Sequence, residues 1–268
     1  MIFAVAFSIL VALFWLRWFR KKDKYEKEPE RLVFQAFFAG ALATVPSVFL
    51  ESLLCLRDWG SNVVLRDFFL SFLWVALVEE FFKYLAVRMT VYRSIQFNEV
   101  MDGMVYMVSA ALGFAAIENV GYMLGFGYAV GFSRAILSYL AHISFSAILG
   151  FYMGKAKIEG RRNFILTGFI FAVLLHWLYN SFLVLGTAKA SGGLLLLGLM
   201  VWVSGLILFL ALVKKAQAIS PFRLAHILPK KLTKPCPSCG KTVSAKALIC
   251  HHCGESLPLE EEEVTLKA

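Results

Sequence analysis

The sequence predicts an all-α, polytopic membrane protein of about seven transmembrane helices with a small zinc-ribbon domain near its C-terminal end, and three observations carry that prediction. The chain is 59% hydrophobic and contains 25 Phe, with a mean hydropathy of +0.71, whereas soluble domains carry about 45–50% apolar residues. Its apolar residues gather into runs near the roughly 20 residues that cross a bilayer. After Lys214 the composition turns abruptly polar and leads to two cysteine pairs.

Taken in order, the runs span about 2–18, 32–55, 67–89, 101–124, 134–154, 164–187 and 193–213. The first begins "MIFAVAFSIL", with no basic segment before it, and ends in "RWFRKKDKYEK" rather than at a small-residue cleavage site, so it is expected to stay as an anchor. Lys and Arg crowd "RWFRKKDKYEKEPER", "KAKIEGRR" and everything after Lys214, while the loops on the opposite side, between the second and third, fourth and fifth, and sixth and seventh runs, hold only Arg57 and Arg66, then Arg134, then Lys189. The positive-inside rule therefore predicts the N-terminus outside and the C-terminus in the cytoplasm. Most of the formal charge of +9 serves topology, and no nucleic-acid partner is expected. The predicted organisation is a transmembrane helical domain over 1–213, a basic linker over 214–234, a ribbon over 235–258 and an acidic tail over 259–268.

Cys236, Cys239, Cys250 and Cys253 form C-x2-C, a spacer and C-x2-C, with Gly240 and Gly254 just after each pair. That spacing suits a structural Zn2+ held by four thiolates in a unit too small for a core of its own. A disulfide framework is the alternative, and a reducing cytoplasmic location argues against it. His251 and His252 read as bystanders to a complete thiolate shell, and Cys55 reads as a packing residue. The linker from Ile219 to Leu232 mixes Phe222, Leu224, Ile227 and Leu228 with Lys and Arg. It could lie on anionic membrane lipid or serve as a plain tether.

The third run raises the question of function. "WVALVEEFFKYLAVR", residues 74–88, sets Glu79, Glu80 and Lys83 among Trp, Val, Leu, Phe and Tyr. A charge at a membrane-helix centre costs roughly 2.5–3.5 kcal/mol on insertion scales, so each needs a partner or a wet cavity. Further polar groups recur in later runs: Glu118 and Asn119 in "GFAAIENVGY", His142 in "LAHISFSAILG", His176 and Asn180 in "LLHWLYNSF". Helical spacing lets Lys83 reach either Glu79 or Glu80 and leave the other for chemistry, and stacks His142 on Ser146 and His176 on Asn180. At 1.5 Å per residue, Glu79 lies about 18 Å below the outer boundary, Glu118 about 9, His142 about 12, His176 about 16 and Asn180 about 10. Singly, such groups are more often structural glue or satisfied packing residues. Together, at matching depth on four helices, they predict one convergent cavity open toward the outside.

A carboxylate kept from bulk water becomes a stronger base and can activate a water molecule, while imidazole and amide groups stabilise an oxyanion. The same groups could hold a divalent metal whose bound water is the nucleophile. Peptide hydrolysis fits either scheme. Transport of protons or ions uses similar residues, but no repeats or Gly/Pro-broken helices in matching halves support it. A non-catalytic membrane scaffold is the third class.

"EEFFK" (Glu79 to Lys83), "DGMVYMVSAALGFAAIEN" (Asp102 to Asn119, with Phe114 four residues before Glu118), "HISFSAILG" (from His142) and "HWLYN" (His176 to Asn180) resemble the ordered motifs of the PrsW family of bacterial membrane proteases. That family is similar in turn to CAAX prenyl proteases and Abi proteins. The resemblance covers the third to sixth runs and excludes the ribbon. It implies a site-1 type endopeptidase of the bacterial inner membrane that cleaves a single-pass membrane protein, such as an anti-sigma factor, near the outer face. Glu79 and Glu80 would be the essential acidic pair, one activating water, and His142, His176 and Asn180 would bind an active-site metal such as Zn2+ or polarise the scissile carbonyl. Lys83, Glu118 and Asn119 would support them. CAAX proteases have His in place of Glu118, which fits a Glu118 that holds a histidine, and Met107 and Ala111 stand where PrsW relatives often show glycine. The ribbon could recruit a cytoplasmic partner or act as a structural cap.

Overall fold

The apolar runs form seven α-helices in the computed structural model, which describes residues 1–55, 65–223, 233–244, 247–250 and 252–257. They are α1 (Ile2–Arg20), α2 (Glu30–Cys55), α3 (Leu65–Thr90), α4 (Val100–Phe126), α5 (Tyr128–Glu159), α6 (Asn163–Ala188) and α7 (Gly192–Ile219). Among the described residues, 6 helices are long and apolar enough to cross a membrane; α3 is not among them. Its Glu79, Glu80 and Lys83 interrupt the apolar run, and its neighbours bury them. Large apolar side chains such as Leu10, Phe14, Leu42, Phe49, Leu166 and Ile207 are exposed on the outside of the bundle, as a hydrocarbon solvent requires.

Two boundaries differ from the sequence reading. α5 starts at Tyr128 rather than near 134, because Gly127 alone, at φ 92, separates it from α4, a conformation that glycine adopts without strain. α7 runs on to Ile219, so the first part of the expected linker is helix. The side chain of Cys55, residues 224–232 of the linker, His251 and the acidic tail lie outside the described residues.

α4 is the central helix, with every residue from Val100 to Ala116 buried. Small residues allow its neighbours to approach: a Cβ on Gly40 of α2 would overlap the Ala110 backbone, and one on Gly150 of α5 would stand 2.8 Å from the Met104 Cα. Close backbone contact of this kind is how helices gain packing energy in lipid. Met107 and Ala111 sit fully buried in this core. α1 is tied in by Tyr139 Oη donating to the Ser8 carbonyl at 2.9 Å, Asn119 Nδ2 donating to Ser8 Oγ at 3.0 Å and Trp15 Nε1 donating to the Ala135 carbonyl at 3.0 Å.

At one end of the bundle, the α1–α2, α3–α4 and α5–α6 connections meet the end of α7 and the ribbon. There Gln217 Nε2 donates to the Lys22 carbonyl at 2.5 Å, and Lys157 Nζ donates to the Tyr92 and Ser94 carbonyls at 2.6 and 2.9 Å. Asp23, Glu26, Glu28, Glu99 and Asp102 are all buried at this end. Asp102 Oδ2 accepts the Asn98 and Glu99 amides, each at 2.7 Å, and caps α4; Tyr106 Oη donates to Glu28. Burial pushes the carboxyls of Asp23 to about 6, Glu28 to about 7 and Glu99 to about 8. The ribbon is a two-stranded antiparallel sheet, β1 (Thr233–Pro235) paired with β2 (Thr242–Ser244), so it starts just before residue 235.

Candidate active site

α3 places Glu79, Glu80 and Lys83 inside the bundle, all less than a tenth exposed. Lys83 Nζ donates to Glu79 Oε2 at 3.0 Å, Glu80 Oε1 at 2.9 Å and His142 Nδ1 at 2.9 Å. An ammonium has three donors, and here all three are used. Lys83 therefore bridges both carboxylates instead of neutralising one. The sequence shows reach along one helix, and only the fold brings His142 to the third N–H. Phe114 lies under the cation, its ring centroid 4.5 Å from Nζ.

Lys83 fixes the His142 tautomer. Because Lys83 donates to Nδ1 of His142, its proton is on Nε2, which donates to Glu118 Oε2 at 2.8 Å. His176 Nδ1 donates to Glu80 Oε1 at 3.0 Å, and its Nε2 lies 3.8 Å from Glu79 Oε2. Ser146, expected to stack on His142, instead donates to Glu80 Oε2 at 2.9 Å. Glu80 is thereby saturated at both oxygens and fully buried, while Glu79 lines a cavity.

The cavity has a volume of about 870 Å³, and His142, His176, Asn180, Glu79 and Glu118 stand on its walls. Its other lining residues come from the C-terminal part of α2, the start of α3, the end of α4, the start of α5 and the end of α6, so it occupies the half of the bundle away from the ribbon. Asn180 is on the wall one turn beyond His176, which bonds to Glu80 and not to Asn180. Asn119 points the other way, toward Ser8 of α1 and Met123, and is not brought to the site.

Two charged residues on the wall are not singled out by the sequence. Arg134, read as a loop residue, lies in α5; its Nη2 donates to Glu118 Oε1 at 2.7 Å and its guanidinium sits 3.7 Å from the Tyr122 ring centroid. Arg134 precedes His142 by eight positions, a spacing that shares a helix face, and this signal could have found it. Glu51 of α2 also lines the cavity and accepts from Ser47 Oγ at 2.8 Å.

Glu79, Glu118 and His142 offer ligand atoms that all lie within 4.8 Å of one another, a donor set of the kind a divalent metal uses. His176 is outside that set. Both nitrogens of His142 are committed to Lys83 and Glu118, so metal uptake requires one of those contacts to open.

A bundle of membrane-crossing helices with carboxylates and imidazoles joined on the wall of a cavity suits an intramembrane hydrolase or a proton carrier. Comparison with known proteins narrows that class. Residues 28–212 match the model of the PrsW family of intramembrane metalloproteases, and the chain belongs to this family: it is a membrane-embedded, multi-pass protease. It is 38% identical over 167 residues to Protease PrsW of Geobacillus kaustophilus (strain HTA426), covering 62% of this chain and 72% of that protein. It is 34% identical over 171 residues to Protease PrsW of Bacillus subtilis (strain 168), covering 63% and 77%. The corresponding protein of Clostridioides difficile (strain 630) is 32% identical over 188 residues, covering 66% and 76%. No solved structure gives a significant match. The ribbon lies beyond the matched segment.

Proposed function

We propose that the protein is a site-1 type endopeptidase that hydrolyses a peptide bond of a single-pass membrane protein, an anti-sigma-factor-like substrate, in the half of the membrane away from the ribbon. The observation that carries this reading is the single hydrogen-bonded network linking Glu79, Glu80, Lys83, Glu118, His142 and His176 from four helices at the wall of one cavity. Glu79 is the better base of the tandem pair, because it faces the cavity while Glu80 is spent on Lys83, His176 and Ser146. Glu80 and Lys83 act as the frame that orients Glu79 and both imidazoles. Glu79 takes the proton of the attacking water, and His176 stands beside it on the same wall, its Nε2 3.8 Å from Glu79 Oε2. Asn180 is positioned on the wall to donate to the oxygen of the scissile carbonyl as charge develops there. With a divalent cation bound, Zn2+ being the best match to a His and carboxylate donor set, Glu79, Glu118 and His142 would hold it; Glu79 would then serve as a ligand instead of the base, and the cation would supply Lewis acidity to water and carbonyl.

The basic residues Arg17, Arg20, Lys155, Lys157, Arg161 and Arg162 cluster at the ribbon end, which supports a cytoplasmic ribbon and a cavity nearer the outside of a bacterial cell membrane. Cys236, Cys239, Cys250 and Cys253 hold a structural Zn2+. Their Sγ atoms pair at 3.6 and 3.7 Å, against about 3.8 Å for the edge of a tetrahedron with Zn–S bonds of about 2.3 Å.

The test is co-reconstitution of purified protein with candidate single-pass proteins. Wild type should cleave one of them, and Glu79→Gln should abolish cleavage while the protein stays monodisperse. Metal in excess of the ribbon zinc should be present and should fall in Glu118→Gln. Cleavage that survives Glu79→Gln would sink the assignment.

A further inference from the structure

The two loops that carry the cysteines also carry the residues that touch the membrane domain. Lys241 follows the first cysteine pair and His252 lies between Cys250 and Cys253. Both donate to the same atom, Oε1 of Glu26 in the α1–α2 connector, each at 2.6 Å. Glu26 is 4% exposed and His252 8%. The His252 ring stacks on Phe222, just past α7, with centroids 4.7 Å apart and planes at 19°. Spacing alone makes His252 a bystander to the metal, yet in the fold it has a buried carboxylate on one edge and an aromatic ring on its face.

These contacts depend on the shape of the cysteine loops. The Gly240 amide donates to the Cys236 carbonyl and the Gly254 amide to the Cys250 carbonyl, each at 2.8 Å, in the turns that present the thiols. Among the described residues, the ribbon's own core is Cys236, Val243, Cys250 and Leu257 with two flanking residues. A unit this small holds its loops through metal. A buried carboxylate, in turn, needs a cation or a proton, and at Glu26 Lys241 and His252 are the partners in place.

Resting on the zinc reading above, we infer that the ribbon is a zinc-dependent clamp on its own membrane domain: the thiolate cluster sets Lys241 and His252, which grip Glu26 and close the α1–α2 connector against the ends of α4 and α7. The grip leads inward. Glu28, two residues on, accepts from Tyr106 of α4, and α4 carries Glu118 to the cavity.

Trypsin reads the clamp without any substrate. The connector holds Lys21, Lys22, Lys24 and Lys27 around three buried acids, so cutting there requires the segment to open, and its rate follows the open population. Purified full-length protein with zinc should resist cutting in the connector. Cys236→Ser/Cys239→Ser, which removes the ribbon zinc, should be cut about tenfold faster or more. Glu26→Ala, which removes the gripped carboxylate and adds no trypsin site, should be cut as fast while its ribbon still binds one zinc, and added zinc should restore protection to chelated wild type but not to Glu26→Ala. Zinc lost from the cysteine variant with unchanged protection would overturn the clamp, as would full protection in Glu26→Ala. A wild-type ribbon that takes up no zinc would overturn the zinc reading itself, and the clamp with it.

Discussion

Two sets of buried carboxylates occupy this bundle, and they are kept there by different means. At the cavity, Glu79 and Glu80 share Lys83, and Glu118 is bonded by Arg134 and His142. At the ribbon end, Asp23 Oδ1, Glu26 Oε2, Glu99 Oε2 and Asp102 Oδ1 have no hydrogen-bond partner among the described residues. There, Glu26 is held through its other oxygen by Lys241 and His252, while burial raises Asp23, Glu28 and Glu99 toward neutrality, so for these three protons replace cations as the means of removing charge. The difference teaches that burial of an acid does not by itself mark a reactive site. What sets the first group apart is fixed countercharge together with a cavity wall.

The largest test of that contrast is Lys83→Met. It strands two buried carboxylates and should lower stability by about 3–5 kcal/mol in thermal or denaturant unfolding. Glu28→Gln at the other end, where a proton already does the work near neutral pH, should stay within about 1 kcal/mol of wild type. Equal losses would erase the distinction. Next in size, Arg134→Gln should cut turnover of a reconstituted substrate by about 10–100-fold, as expected when a group that orients a histidine's partner is removed, and Arg134→Lys should recover part of it. Undiminished turnover would show that Glu118 holds His142 unaided.

The pH response sharpens the comparison at the ribbon end. The folded protein holds protons on Asp23, Glu28 and Glu99 that the unfolded chain releases at lower pH. Their contribution is therefore complete below the ordinary carboxylate range and is lost as pH rises through about 6 to 8. Unfolding should occur at lower temperature at about pH 8.5 than at about pH 5.5, and a combined Asp23→Asn, Glu28→Gln, Glu99→Gln variant should flatten that slope. A wild-type slope of the opposite sign would assign these acids to ion pairs. The smallest effect is Ser146→Ala, which removes one of the three groups bonded to Glu80 and should cost about 1 kcal/mol, measurable in the same unfolding assay.

Much of the fold was legible because membrane helices announce themselves by length and apolar content, and the polar interruptions at Glu79, Glu118, His142 and His176 stood out against that background. Pairing was less legible. Spacing along one helix suggested Ser146 with His142, but a serine turns toward whichever acceptor the neighbouring helix brings, here Glu80. Arg134 was hidden by a helix boundary, since a single glycine separates α4 from α5. The ribbon-end acids looked like ordinary loop charges, because nothing in "KYEKEPER" foretells that the ribbon, α4 and α7 converge on it.

Glu26 and His252 are separated by 226 positions. At about 5–20 residues per second, the connector leaves the ribosome roughly 10–45 s before its ribbon partner exists. Throughout that interval Glu26 lacks the lysine and histidine that cover it later. A segment translated 226 positions later thus completes the α1–α2 connector, and a product truncated after α7 would have the seven described helices and an unfinished seam.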